Sequence, residues 1–171
     1  MGFINKNVSY KSKEVIKSLY NSYVRPHLEY CIQVWKPHIK QDILLLESIQ
    51  RRATKLIPSL RNKPYEDRLK ELGMYTLEYR LLRGDLIEMF KIFSGRDRID
   101  INRFFKLREN SGNRGHKWTI SKPRCNTDLR KYFFSHRVVN SWNNLPDVVI
   151  ESTSLNNFKN NLDKHLLGDN N

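Results

Sequence analysis

The stretch TLEYRLLRGDLIEMFKIFSG, residues 76–95, decides the fold class of this chain. Thr76 is a residue type that caps helix starts, and Gly95 is one that ends helices. Between them the apolar side chains recur every three or four residues, which is the spacing of one buried helix face: Leu82, Leu86, Met89, Phe90 and Phe93. The stretch therefore predicts a core helix over about residues 77–93.

Helical spacing also precedes this stretch. Ser12 can cap a first helix, and Pro26 either bends this helix or separates it from the next turns. Those turns carry Leu28, Cys31, Ile32 and Trp35, and Pro37 ends the unit. A second helix is predicted over about Gln41–Leu56, because Pro58 stops the pattern there. Its predicted inward side chains are Ile43, Leu46, Ile49, Ala53 and Leu56.

The rest of the chain alternates between helical and irregular patterns. Pro64 opens and Gly73 closes a short helix. Between 97 and 128 the periodicity fails, and we expect only a helical turn over 100–105 and a short strand over 117–121. Helical spacing returns at Phe134, Val138, Ser141 and Trp142, and after a Ser154 cap at Leu155, Phe158, Leu162 and Leu166. The fold class is therefore predicted to be mainly α.

Positive charge is concentrated in one part of the sequence. The chain has a formal net charge of +13, and residues 101–140 contain ten basic and two acidic side chains. Clustered Lys and Arg neutralise phosphates and release counterions, which is the source of non-specific affinity for nucleic acid. A solvated basic face that only improves solubility is the alternative that charge alone leaves open.

Aromatic residues alternate with this charge. Exposed rings can stack on unpaired bases, whereas buried rings would leave only the charges accessible. For Phe104, Phe105, Phe133 and Phe134 we expect burial, and Trp142 is expected to be structural because it lies on the helical stripe of Val138. The candidate nucleic-acid-binding residues are Arg51, Arg52, Arg103, Lys106, Arg108, Arg114, Lys117, Lys122, Arg124, Arg130 and Arg137.

Catalytic chemistry has no clear basis in the sequence. Phosphoryl transfer on metal ions needs converging carboxylates, but Glu66-Asp67 fits a helix first turn and Asp100 a helix cap. Ser135 and His136 are adjacent on a helix and point apart, so no nucleophile–base pair is predicted and His136 is expected at the surface or half-buried. We expect no catalytic residue, no metal site and no cofactor.

Cysteine usage and hydropathy indicate the compartment. Cys31 and Cys125 lie far apart without a zinc-binding spacing, so both are expected to be ordinary thiols in a reducing environment. Neither a signal peptide nor a long apolar segment is evident, so no membrane partner is expected. The predicted location is nuclear or cytoplasmic.

Three strings together resemble a known family. They are LYNSYVRPHLEYCIQVWKP (19–37), LLESIQRRATKLIPSLRNKPYEDRLKELGMYTLEYRLLRGDLIEMFKIF (45–93) and FFSHRVVNSWNNLPDVVIESTSLNNFKNNLD (133–163). In order and spacing they are similar to the C-terminal region of non-LTR (LINE) retrotransposon reverse transcriptases, in the jockey and chicken-repeat clades. That family's palm carries a Phe/Tyr-x-Asp-Asp motif, which does not occur here.

The resemblance implies a domain layout and partners. Residues 1–60 would form a thumb-like helical bundle packing on primer-template, and residues 61–171 a helical C-terminal region with an irregular basic loop, 97–128, that helps to hold RNA. The expected function is binding of RNA or an RNA–DNA primer-template by a non-catalytic part of an RNA-directed DNA polymerase, with a palm domain supplied in trans as a further partner.

Two other interpretations remain open from the sequence. The chain could be a helical protein-interaction module whose charge is incidental, or a piece that complements a polymerase core. Because thumb helices pack on a palm, the complementing piece should expose apolar side chains. The side chains expected in that patch are Leu19, Tyr23, Trp35 and Leu46.

Overall fold

A computed structural model describes residues 2–108 and 115–168, and the fold is mainly helical, as predicted. The chain divides into two compact units, Met1–Leu82 and Arg83–Asn171. The helices are α1 (Gly2–Asn7), α2 (Lys13–Leu19), α3 (Arg25–Glu29), α4 (Ile32–Trp35), α5 (Lys40–Lys55), α6 (Tyr65–Leu72), α7 (Leu77–Phe93), α8 (Asp128–Tyr132), α9 (Phe134–Asn143), α10 (Asp147–Ile150) and α11 (Leu155–Gly168). Two short strands, β1 (Lys106–Leu107) and β2 (Ile120–Ser121), pair antiparallel.

The first unit begins with a helix that changes geometry before Pro26. Ser12 caps α2 by accepting a hydrogen bond from the Val15 amide at 3.2 Å, as predicted. A π-helical segment, Tyr20–Val24, then leads into α3. The helical path stops at Cys31, whose φ of 51° is left-handed, and the Cys31 side chain is exposed.

Residues after position 60 complete the core of the first unit. Leu72 of α6 packs in one buried cluster with Ile16 of α2 and Ile57. Leu77 and Leu81 of α7 belong to a second buried cluster. The first compact unit therefore extends past residue 60 to Leu82.

Helix α5 buries polar side chains that the apolar pattern did not predict. Gln50 Oε1 accepts from the Tyr20 hydroxyl at 2.9 Å, and its amide nitrogen donates to the Tyr65 hydroxyl at 2.9 Å. Glu47 Oε2 accepts the Leu77 backbone amide at 2.7 Å and so caps the start of α7. Of the predicted inward residues on α5, Ala53 is buried whereas Leu46 and Ile49 are partly buried.

The second unit is built around an aromatic core. Phe90 stacks on Phe158 of α11 with a centroid distance of 4.2 Å, and Phe93 stacks on Trp142 of α9 at 5.5 Å. The Trp142 side chain has no exposed surface, which confirms that it is buried. Its Nε1 donates to the Trp118 carbonyl at 2.9 Å, and this hydrogen bond links the segment before β2 to the aromatic core.

Between α7 and α8 the described residues contain the predicted helical turn and part of the predicted strand, together with β1, which was not predicted. A 3₁₀ turn, Ile101–Arg103, is capped by the Asp100 carboxylate, which accepts the Asn102 amide at 3.1 Å. In the β1–β2 ribbon Lys106 lies opposite Ser121. Helices α8 and α10 were not predicted, since each is too short to produce a periodic pattern.

Candidate nucleic-acid interface

Three predicted basic residues meet around one cavity of about 170 Å³ in the second unit. Arg103 belongs to the 3₁₀ turn, Lys106 to β1 and Arg130 to α8. Ser135 and His136, in the first turn of α9, line the same cavity. We call this cavity the basic cleft; its volume is well above the roughly 10–15 Å³ that one water molecule needs.

The basic side chains of the cleft have no acidic partners among the described residues. Arg103, Lys106 and Arg130 are all exposed, and none of them forms an ion pair with a carboxylate among the described residues. The Nε of Arg130 instead donates to His136 Nε2 at 2.9 Å. Since paired guanidinium and ammonium groups are largely neutralised, unpaired ones in a concavity are those that attract anions.

His136 is the residue whose burial the sequence did not predict. Its side chain is 2% exposed, whereas a surface or half-buried position was expected. Burial, reinforced by the positive charges of Arg130 and Lys122, lowers the pKa of His136 below its ordinary value. Both effects favour the neutral imidazole, and its Nδ1 is buried without a hydrogen-bond partner among the described residues.

The start of α9 adds to the positive character of the cleft. Phe133 occupies the N-cap position and offers no side-chain oxygen to the first amides of the helix. The His136 amide donates to the Phe133 carbonyl at 2.9 Å, and the helix start presents the positive end of the helix dipole. Ser135 and His136 therefore lie where an anion is favoured.

The four phenylalanines of this region divide into two pairs. Phe105 and Phe134 are buried, as expected, and their rings lie edge to face with a centroid distance of 6.2 Å. Phe104 and Phe133 are 46% and 43% exposed, so the expectation of burial is wrong for them. Phe104 lines the cleft, and the Arg130 guanidinium lies 6.0 Å from the Phe133 ring centroid. Exposed rings beside unpaired cations are the combination that binds unpaired bases and their phosphates.

Other predicted basic residues are exposed outside the cleft lining. Lys122 donates to the Asn140 side chain at 3.2 Å, and Lys117 lies 4.8 Å from the Trp118 ring centroid. Arg108 and Arg124 are also exposed. Arg114 lies outside the described residues.

Arg137 is held by a buried carboxylate. Its Nη2 and Nε donate to the two oxygens of Asp85 at 2.9 and 3.2 Å, in a bidentate pair. Asp85 is 1% exposed, and the Arg137 side chain is 13% exposed. This geometry gives Arg137 a structural role, and the sequence alone did not indicate its partner Asp85.

The two candidates in the first unit are exposed residues of α5, Arg51 and Arg52. The Arg51 guanidinium lies 4.1 Å from the Tyr65 ring centroid, and its backbone carbonyl accepts from Arg68. Arg51 is therefore partly engaged in packing, whereas Arg52 is open to solvent.

A second cavity, of about 90 Å³, lies in the first unit and differs in its charge. It is lined by Lys17, Arg25 and Arg80 among others. Arg25 and Arg80 both pair with Glu29, and Lys17 donates to the Leu72 carbonyl. Because its cations already have partners, this cavity is a weaker anion site than the basic cleft.

Within residues 2–108 and 115–168, no three potential His, Cys, Asp or Glu ligands come together as a metal site. None of the described helices is long and apolar enough to cross a membrane.

Comparisons with protein-family models, curated proteins and solved structures found no match to this chain.

Proposed function

We propose that this chain binds single-stranded nucleic acid through the exposed basic side chains of its second unit. The observation behind the proposal is the basic cleft, where three unpaired cations surround a cavity beside two exposed phenylalanine rings. Cations supply affinity for phosphates, and rings supply stacking with little preference for sequence. The residues that we assign to binding are Arg103, Lys106, Arg108, Lys117, Lys122, Arg124 and Arg130.

The protein class that we propose follows from the resemblance described above. A nucleic-acid-binding, non-catalytic C-terminal part of a non-LTR retrotransposon reverse transcriptase would contact RNA or an RNA–DNA primer-template. A mainly helical fold and a basic cleft are compatible with that role. Arg51 and Arg52 would then contact paired primer-template rather than single strands.

The binding surface can be mapped with two variants of equal charge. The double variant K122Q/R124Q should flatten the slope of log affinity against log salt by about 1.4 on single-stranded RNA, at about 0.7 per lost phosphate contact. The control K70Q/K164Q removes the same charge from exposed positions on α6 and α11, outside the assigned residues. It should leave the slope unchanged.

The measurement is fluorescence anisotropy of a labelled RNA, titrated at several salt concentrations. Equal slopes for wild type, K122Q/R124Q and K70Q/K164Q would show that Lys122 and Arg124 belong to a merely solvated face.

A protein-interaction module is the second candidate, and exposed apolar side chains of the first unit favour it. Val34 is 79% exposed, and Leu44 and Leu45 of α5 are 52% and 65% exposed. Of the patch expected from the sequence, Tyr23 and Trp35 are exposed whereas Leu19 and Leu46 pack against buried clusters. Nucleic-acid binding that is absent, or insensitive to salt, would favour this candidate.

A further inference from the structure

One residue that lines the basic cleft, His136, has a buried ring nitrogen without a hydrogen-bond partner among the described residues. Arginine has no acceptor atom, so Arg130 Nε must donate in its 2.9 Å contact with His136 Nε2. The neutral imidazole therefore has its proton on Nδ1. This proton is buried and has no acceptor among the described residues. A buried donor without a partner is unfavourable, and a ligand oxygen would remove that cost.

The groups around this donor are positively charged, so they favour a negatively charged ligand. Arg103 and Lys106 are exposed cations on the wall of the cleft. The terminal guanidinium nitrogens of Arg130 donate no hydrogen bond to any described residue. The uncapped first turn of α9, a helix of 10 residues, lies on the same cavity. A cationic ligand would be repelled by every one of these groups, whereas an oxyanion is attracted by each.

The volume of the cavity and the aromatic rings beside it limit which oxyanions can bind. The cavity of about 170 Å³ takes a group of several heavy atoms. Phe104 on its wall and Phe133 beside Arg130 offer exposed ring faces on which bases attached to that group can stack.

We propose that the basic cleft is a specific phosphate-binding site in which Arg103, Lys106 and the Nδ1–H of His136 hold one phosphate of a nucleic-acid strand. The site deepens the proposed function and rests on it for the identity of the strand. The phosphate is an internal phosphodiester, so the strand passes through the cleft with its bases on Phe104 and Phe133.

The test uses the full chain and observes the His136 ring by nitrogen-15 NMR. Inorganic phosphate, titrated at constant ionic strength against sodium chloride, should shift the Nδ1 proton resonance of His136 saturably. R103Q and K106Q should each weaken phosphate binding by about tenfold or more, the effect of losing one hydrogen bond to a charged group. K131Q is the matched control, because Lys131 is exposed on α8 next to Arg130 but does not line the cavity.

A conservative variant separates the role of the imidazole from folding. H136Q can place an amide oxygen near the position of Nε2, where it still accepts from Arg130, but it has no donor at the position of Nδ1. It should fold, as judged by its amide spectrum, and should bind phosphate more weakly than wild type. H136Q with unaltered phosphate affinity would remove His136 from the site.

Two single-stranded RNAs, one with a 5′-hydroxyl and one with a 5′-phosphate, show which phosphate the cleft binds. A single-stranded RNA with a 5′-hydroxyl should shift the same resonance and compete with inorganic phosphate. A shift that requires a 5′-phosphate would overturn the internal phosphodiester and make the cleft a site for strand ends. If RNA binds with a steep salt dependence while the His136 resonance stays fixed and R103Q matches K131Q, the phosphate site is wrong although the proposed function stands.

Discussion

Replacing Trp142 by alanine is expected to lower the free energy of unfolding by about 3–5 kcal/mol, the usual cost of removing a large buried aromatic ring. The indole has no exposed surface and contacts Phe93, Phe158 and His116 with centroid distances of 5.5, 6.3 and 5.7 Å. Truncation would leave a cavity among these rings. It would also leave the Trp118 carbonyl without its Nε1 donor.

Urea unfolding followed by circular dichroism measures this loss, and two further variants calibrate it. W142F preserves most of the ring volume, so it should lose only about 1–3 kcal/mol, mainly from the unpaired carbonyl. V148A changes a side chain that is 73% exposed and should stay within about 0.5 kcal/mol of wild type. A W142A protein of normal stability that no longer binds RNA would instead make Trp142 a base-stacking residue.

Replacing Asp85 by alanine is expected to lower the free energy of unfolding by a similar amount, about 3–5 kcal/mol, because the largely buried guanidinium of Arg137 loses its counter-charge. Asp85 accepts both bonds of the bidentate pair with Arg137, and it is almost fully buried. D85N preserves the shape of the side chain without its charge, so it should fall between wild type and D85A. The free energies come from the same unfolding titration.

The double variant D85L/R137M tests whether the pair is a structural unit. Because it removes both charges and fills the space with apolar groups, it should recover most of the stability lost in D85A. R137A should lose stability and leave the salt dependence of RNA binding unchanged. A stable R137A protein with a flatter salt slope would return Arg137 to the nucleic-acid-binding residues.

Local signals predicted the longer helices and their ends. Helix α7 occupies Leu77–Phe93, and Gly73 ends α6 with a left-handed φ of 56°. Ser154 caps α11 by accepting the Asn157 amide at 3.1 Å. Such features depend on residues within one or two turns of each other, so a sequence pattern records them.

Buried polar side chains were missed because their partners are distant in sequence. Gln50 is apparent as a core residue only when Tyr20 and Tyr65 are placed beside it, 30 and 15 residues away. The same holds for Asp85, whose partner Arg137 lies 52 residues along the chain. Without those partners, a polar residue in an amphipathic pattern is assigned to the surface.

The cleft was predictable in its residue types and not in its geometry. Arg103, Lys106 and Arg130 were candidates because of local charge, but three separate elements bring them to one cavity. His136 had no distinguishing signal, since its burial and its contact with Arg130 depend on the packing of α8 against α9. Exposure of Phe104 and Phe133 likewise depends on which face each backbone segment presents.

The central claim is that the second unit binds nucleic acid through uncompensated cations, and one titration tests it most directly. The affinity of the wild-type chain for single-stranded RNA is measured by anisotropy between about 50 and about 200 mM NaCl. Four or more phosphate contacts predict a log–log slope of about −3 or steeper, so that this rise in salt weakens binding by about 60-fold. Absence of binding at the lowest salt, or an affinity that does not change with salt, would contradict the account.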